Sequence, residues 1–173
     1  MRRSVLSAAL LVLALALAPA VEGTTPAAAV LKTGLPNHAL TPGAFNPAVT
    51  QATIRATICV SGWTATVRPP SSYTNALKVA QLVTYGYADK KLADYEEDHF
   101  VPLELGGSPT SVKNLWPEPH HIKLGNLDLG SFTKDALETH LKSLICAGKL
   151  TLAKARAEIA TNWVAYWKAW KGL

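Results

Sequence analysis

The sequence predicts an α+β fold, and three observations carry that prediction. Two β-prone runs, Ile54–Val60 and Trp63–Arg68, flank a Ser61-Gly62 break. A second extended stretch begins at Tyr95, reverses at Gly106-Gly107 and resumes at Asn114. Three segments carry apolar residues at helical spacing, the first two stopped by Gly86 and Gly148. At 173 residues one domain is the default. Collagen-like, coiled-coil and disordered classes are excluded: only 17% of residues are charged, 49% are hydrophobic, and 11 Gly and 11 Pro show no period.

The N-terminus reads as an address rather than as fold. Arg2 and Arg3 precede an apolar run, Val5–Ala18, interrupted only by Ser7, and Ala18-Pro19-Ala20 supplies an A-x-A exit. The run is shorter than the ~20 residues a bilayer-spanning helix needs. Residues 1–20 are therefore expected to be a secretory signal peptide, 21–48 an irregular arm, and 49–173 the folded domain. The mature protein is expected outside the cytoplasm, secreted or periplasmic, with a monomer as default. Removing Arg2 and Arg3 takes the 17 basic residues to 15 against 12 acidic ones, so the net charge falls from +5 to +3. Cys59 and Cys146 form no C-x-x-C pair, and in an oxidising compartment a Cys59–Cys146 disulfide is expected, with two buried thiols as the alternative.

Taken in order, residues 51–68 suggest a β-hairpin ended by Pro69-Pro70. Ser72 or Thr74 can cap a helix with Leu77, Ala80 and Val83 on its apolar face. A second helix is expected from Thr133 to Gly148, with Leu137, Leu141, Leu144 and Ile145 on one face. Thr151 caps a third, running to about Trp170, whose Trp163, Tyr166, Trp167 and Trp170 read as cover for a small core.

The chemistry-bearing residues lie between the first two helices, in Tyr95-Glu-Glu-Asp-His-Phe-Val-Pro-Leu-Glu-Leu-Gly-Gly107 and Asn114-Leu-Trp-Pro-Glu-Pro119. In a strand, alternation puts Glu96 and Asp98 on one face and His99 on the other. A twist or bulge near the strand end would bring Asp98 and His99 to a common site. A carboxylate can hold a hard divalent cation, while a neutral imidazole takes a proton from water. Asn114 starts the returning strand, where its amide can fix the loop. Arg68 is the leading candidate to clamp a phosphate, with Arg55 and Lys134 as others.

Asp-His-x-x-Pro-Leu, Gly-Gly, Asn-Leu-x-Pro and a following helix resemble the HNH nuclease motif, the ββα-metal or His-Me finger. From Thr57-Ile-Cys-Val-Ser-Gly-Trp-Thr through Val67-Arg-Pro-Pro to Cys146-Ala-Gly148, the chain is similar to small exported bacterial proteins with an HNH-like core. The resemblance covers roughly residues 50–170. It implies a ββα-metal core, with Asp98 as metal ligand, His99 as general base and Asn114 as the residue that shapes the loop. It also implies an acid at Glu96. The family's last ligand, a His or Asn near the helix start, has no direct counterpart: Ser131 stands near its place, His120 and His121 precede it in a loop, and Asp135 and Glu138 are carboxylates that can substitute.

The function expected on these grounds is metal-dependent hydrolysis of DNA, or of nucleic acid generally, using one Mg²⁺, Mn²⁺ or Zn²⁺. Asp98, Glu96, Asp135 and His121 are the candidate metal ligands, and His99, Asn114 and Arg68 the candidate catalytic residues. An exported binding or structural protein that keeps the scaffold without turnover is the alternative. No H-E-x-x-H, G-x-S-x-G or P-loop pattern points to another chemistry.

Overall fold

The structure, a computed structural model, describes residues 25–173. The signal-peptide reading of residues 1–20 lies outside the described residues.

The expected irregular arm contains a helix. In α1, Pro26–Thr33, the Thr25 hydroxyl accepts from the Ala28 amide, Pro26 occupies the first turn, and Gly34 ends the helix at φ 74°. The indole of Trp163 donates to the Gly34 carbonyl at 2.9 Å, tying this arm to the C-terminal helix.

The hairpin expected over 51–68 does not form. That segment makes a 3-10 turn at Ile54–Ala56 and a short helix α2, Trp63–Val67. Two physical reasons are visible. Thr53 and Thr57 send their hydroxyls to the carbonyls of Ala48 and Thr53, both at 2.8 Å, closing local turns that compete with a ladder. Ile54 and Ile58, four apart, are both buried, whereas Val60 is exposed, so the burial spacing is helical. Cys59 is bonded to Cys146 with their Cα atoms 5.6 Å apart, as expected from the cysteine count.

Helix α3, Ser71–Tyr85, ends at Gly86 as expected, but it buries Lys78, Leu82 and Tyr85 rather than the face of Leu77, Ala80 and Val83. Lys78 explains the rotation. Its ammonium donates to the carbonyls of Leu92 at 2.9 Å and Tyr95 at 2.7 Å, so its stem covers apolar surface while its charge is satisfied.

Strand β1, Tyr95–His99, pairs antiparallel with β2, Leu115–Pro119, in the unbroken register Tyr95↔Pro119 to His99↔Leu115. A two-residue pair follows, β3, Lys123–Leu124, with β4, Leu127–Asp128. Helix α4, Ser131–Cys146, starts two residues before the expected Thr133. Helix α5, Leu152–Lys171, is capped by Thr151 as expected and breaks its helical geometry at Asn162, whose side-chain oxygen accepts from the Ala165 amide and restarts the helix. Trp163 is fully buried and Tyr166, Trp167 and Trp170 pack against the same core, so the aromatic tail is structural.

The result is an α+β architecture with two apolar clusters. One joins Ile54, Ile58, Leu105, α4 and α5; the other joins α1, α3, Tyr95, Phe100 and Trp116. Consecutive residues Phe100 and Val101 enter different clusters. The end of β1 thus sits at the seam between them, where the charged residues converge.

Candidate functional site

The loop between β1 and β2 is built around Asn114, which is fully buried. Its Oδ1 accepts from the amides of Val101 at 3.0 Å and Ala44 at 3.2 Å. Its Nδ2 donates to the carbonyls of Val101 and Ser108, both at 3.0 Å. One side chain therefore saturates its hydrogen-bonding capacity by stitching the arm and both ends of the loop together. Gly107 permits the close approach: a Cβ there would lie 1.7 Å from the Val101 carbonyl oxygen and 2.9 Å from Asn114 Nδ2. Gly106 adopts φ 71°, and its carbonyl, with those of Leu105 and Val49, accepts from the Arg156 guanidinium.

This loop presents the Pro109 carbonyl to His99 Nε2 at 3.0 Å. A carbonyl can only accept, so Nε2 carries the proton and the lone pair belongs to Nδ1. His99 is buried, and burial, against the raising effect of Asp98, lowers its pKa below the ordinary imidazole value. At neutral pH it is a neutral imidazole with a fixed tautomer.

On the same strand, Glu96 and Asp98 converge with Asp135 of α4. One carboxylate oxygen from each lies within 4.8 Å of the others. Strand alternation and the first turns of α4 place these three together, as the sequence pattern anticipates for Glu96 and Asp98. Glu97, one residue out of phase, is not in the group. Neither is His121, which is exposed and bonded through Nδ1 to Asp128 at 2.8 Å beside Lys123. Arg68 is exposed at the end of α2 and lines a polar cavity of about 250 Å³ with Glu96, Glu104, Asp135 and Glu138. Arg55 is exposed on its 3-10 turn.

No bulge brings Asp98 and His99 together, because the strand register is continuous. Lys134 instead bridges the Asp98 carboxylate to the His99 main chain. Its ammonium donates to Asp98 Oδ2 at 2.6 Å and to the His99 carbonyl at 3.0 Å, and pairs with Glu138. Lys134 is fully buried and so is unavailable as a phosphate clamp. Trp116 Nε1 donates to the same Asp98 oxygen at 3.3 Å.

These placements divide the carboxyl groups electrically. Burial raises Asp98, but Lys134, Glu118 and His99 together outweigh it and hold the carboxyl below its usual range. Burial opposes the Lys134 charge, yet Asp98, Glu138 and Glu118 together keep the ammonium well above the ordinary lysine value. Glu118 is driven well above the carboxylate range by burial and then by Asp98. Burial, offset in part by Lys134, pushes Glu138 up to about 8. Burial and the Asp98 charge raise Glu96 to about 7 and Glu97 to about 8. Asp135 is raised by the same two causes. The site thus holds more carboxyl groups than its protein cations can keep ionised.

Searches against family models, curated proteins and solved structures each return no match.

Two participants escape sequence reading, and two more take roles other than those the sequence suggests. The Pro109 carbonyl acts through its main chain and carries no residue-type signal. Glu118 sits inside the Asn-Leu-Trp-Pro-Glu-Pro string without an obvious role. Lys134 and Glu138 left a usable trace: they fall on the Leu137, Leu141 and Ile145 face of α4, where an i,i+4 ion pair has to be buried.

Proposed function

We propose that this protein is an exported, metal-dependent HNH-type endonuclease with a ββα-metal core, hydrolysing phosphodiester bonds of DNA or of nucleic acid more generally. The observation that carries the reading is the held tautomer of His99: a general base with Nε2 tied to Pro109, next in sequence to a carboxylate in a three-acid cluster. In this reading, Nδ1 takes a proton from the water attacking phosphorus, and buried Asn114 keeps the loop that orients the ring. Arg68, exposed at the rim, pairs with a nonbridging phosphate oxygen.

Glu96, Asp98 and Asp135 fit a divalent cation. All three offer hard oxygen donors, and an additional positive charge would offset the burial and the Asp98 charge that raise Glu96 and Asp135. An all-oxygen set favours Mg²⁺ or Mn²⁺ over Zn²⁺. When bound, such a cation polarises the phosphate and offsets charge on the departing 3′ oxygen.

Export is proposed with the activity. The disulfide suits an oxidising compartment, and among the described residues no helix is long and apolar enough to cross a membrane. One observation favours the second reading, a binding protein without turnover: Lys134 already neutralises Asp98. Plasmid and single-stranded DNA incubated with Mg²⁺, Mn²⁺ or Zn²⁺, then with a chelator, decides between them. Metal-dependent nicking that is lost in His99→Ala, with the circular dichroism unchanged, is the expected result. No cleavage with any metal overturns the nuclease and leaves the binding protein.

A further inference from the structure

We propose that the cavity beside His120 and Phe132 takes one unpaired nucleobase of the substrate strand, an inference that rests on the nuclease reading above. The cavity measures about 560 Å³ and is lined by Tyr95, His120, His121, Phe132, Asp89 and Asp94, among others. That volume lies within the range that accommodates small planar ligands.

The walls are aromatic and oriented. The rings of His120 and Phe132 stack at 4.8 Å and 7°, and His121 meets Phe132 edge-on at 5.8 Å and 60°. Ser131 Oγ lies 2.8 Å from His120 Nδ1, so the first ring of the stack is held in place. Phe132 keeps 58% of its surface exposed, so this aromatic group is not there to fill a core. A fixed, open aromatic face is what a base stacks on.

Charge then separates base from phosphate. Asp89 and Asp94 line the cavity, and Lys91 holds the Asp94 carboxyl below its usual range through a 3.0 Å contact. Asp89 disfavours a phosphate there, whereas carboxylate oxygens accept from amino groups on base edges. Cytosine, adenine and guanine carry such groups; thymine and uracil do not. Geometry links the cavity to the reaction centre. Tyr95 and His120 also line the adjoining cavity of about 370 Å³ that contains Arg68 and Glu96. A strand whose phosphate reached Arg68 would place a neighbouring base against Phe132, provided that base is unpaired.

The test is direct binding without turnover. Labelled oligo(dC), oligo(dT), oligo(rC) and a duplex of equal length are titrated with the full chain in EDTA and followed by fluorescence anisotropy. Oligo(dC) is expected to bind more tightly than oligo(dT) or the duplex, and oligo(rC) to bind alongside it. Phe132→Ala is expected to weaken oligo(dC) by roughly 5-fold or more, as loss of one stacked base predicts, while Phe132→Trp restores it. Asp94→Asn should shrink the difference between oligo(dC) and oligo(dT). Because Phe132 is exposed, thermal unfolding should be unaltered.

Equal oligo(dC) binding by wild type and Phe132→Ala overturns the base site, and if both still nick DNA with metal the nuclease reading survives. Phe132-dependent binding without cleavage under any metal supports the base site and sinks the nuclease.

Discussion

The Lys134 ammonium lies 2.6 Å from Asp98, and both side chains are closed off from solvent. Breaking a buried ion pair from one side leaves the other charge uncompensated, which typically costs about 3–5 kcal/mol. Lys134→Met is therefore expected to lower stability by that amount, read by thermal unfolding at pH 7. Asp98, Glu138 and Glu118 then lack their common cation, so added Mn²⁺ should raise the melting temperature of the variant more than that of the wild type. Equal Mn²⁺ responses would count against a cation at Asp98.

Glu97 makes stability depend on pH. It is buried, both carboxylate oxygens lack a hydrogen-bond partner among the described residues, and its pKa is raised from 4.5 to about 8. The folded state thus prefers the protonated acid. Its contribution to stability is fully present below about pH 4.5 and is lost as the pH rises through about 8. Glu97→Gln keeps the shape and removes the titration. Thermal unfolding should show the variant more stable by roughly 4 kcal/mol at pH 8 and little changed at pH 4.5.

Asn114 makes four side-chain hydrogen bonds, two accepted and two donated, in a site without solvent. Asn114→Ala strands two amides and two carbonyls, and Asn114→Asp strands the two carbonyls while adding a charge. Each variant should lose roughly 2–4 kcal/mol in urea unfolding. The Pro109 carbonyl would also lose its support, so surviving folded protein should show reduced nicking with substrate binding less affected.

How much of this could be read beforehand depends on which force fixed each element. The helices at α4 and α5 were legible because glycine stops, the Thr151 cap and apolar spacing agree. The hairpin expected over 51–68 does not form because threonine hydroxyls, in a residue type that favours β-strands, here close their own turns. The buried face of α3 differs from the expected one because Lys78 counts as polar, yet two main-chain carbonyls satisfy its charge below the surface. At the site, Glu96, Asp98, His99 and Asn114 were legible from alternation and motif order. Residue type makes Lys134 a candidate phosphate clamp, although its position on the α4 apolar face signals burial.

The Cys59–Cys146 bond joins the turn after Ile54–Ala56 to the end of α4 across 87 residues of sequence. Closing a loop of that length restricts the unfolded chain by roughly 4–5 kcal/mol in the chain-entropy model. Reduction, or Cys59→Ala with Cys146→Ala, should lower the urea midpoint accordingly. The ββ loop and His99 lie outside the linked elements, so nicking by folded, reduced protein should persist at low temperature.

The pH profile of cleavage should separate the base from the metal site. His99 has a pKa below the ordinary 6.5, because burial disfavours its charged form, so its Nδ1 becomes available below neutrality. Glu96, raised to about 7, must lose its proton for a cation to bind fully. Two ascending limbs follow in kcat/KM against pH. The upper limb, near 7 at low metal, should shift to lower pH as Mn²⁺ is increased, since the cation competes with the proton. The lower limb should stay where it is, because the His99 proton is not exchanged for metal. Glu96→Gln should abolish the metal-sensitive limb while leaving the other in place at saturating Mn²⁺. A single limb that moves with metal throughout would mean that His99 is not the base.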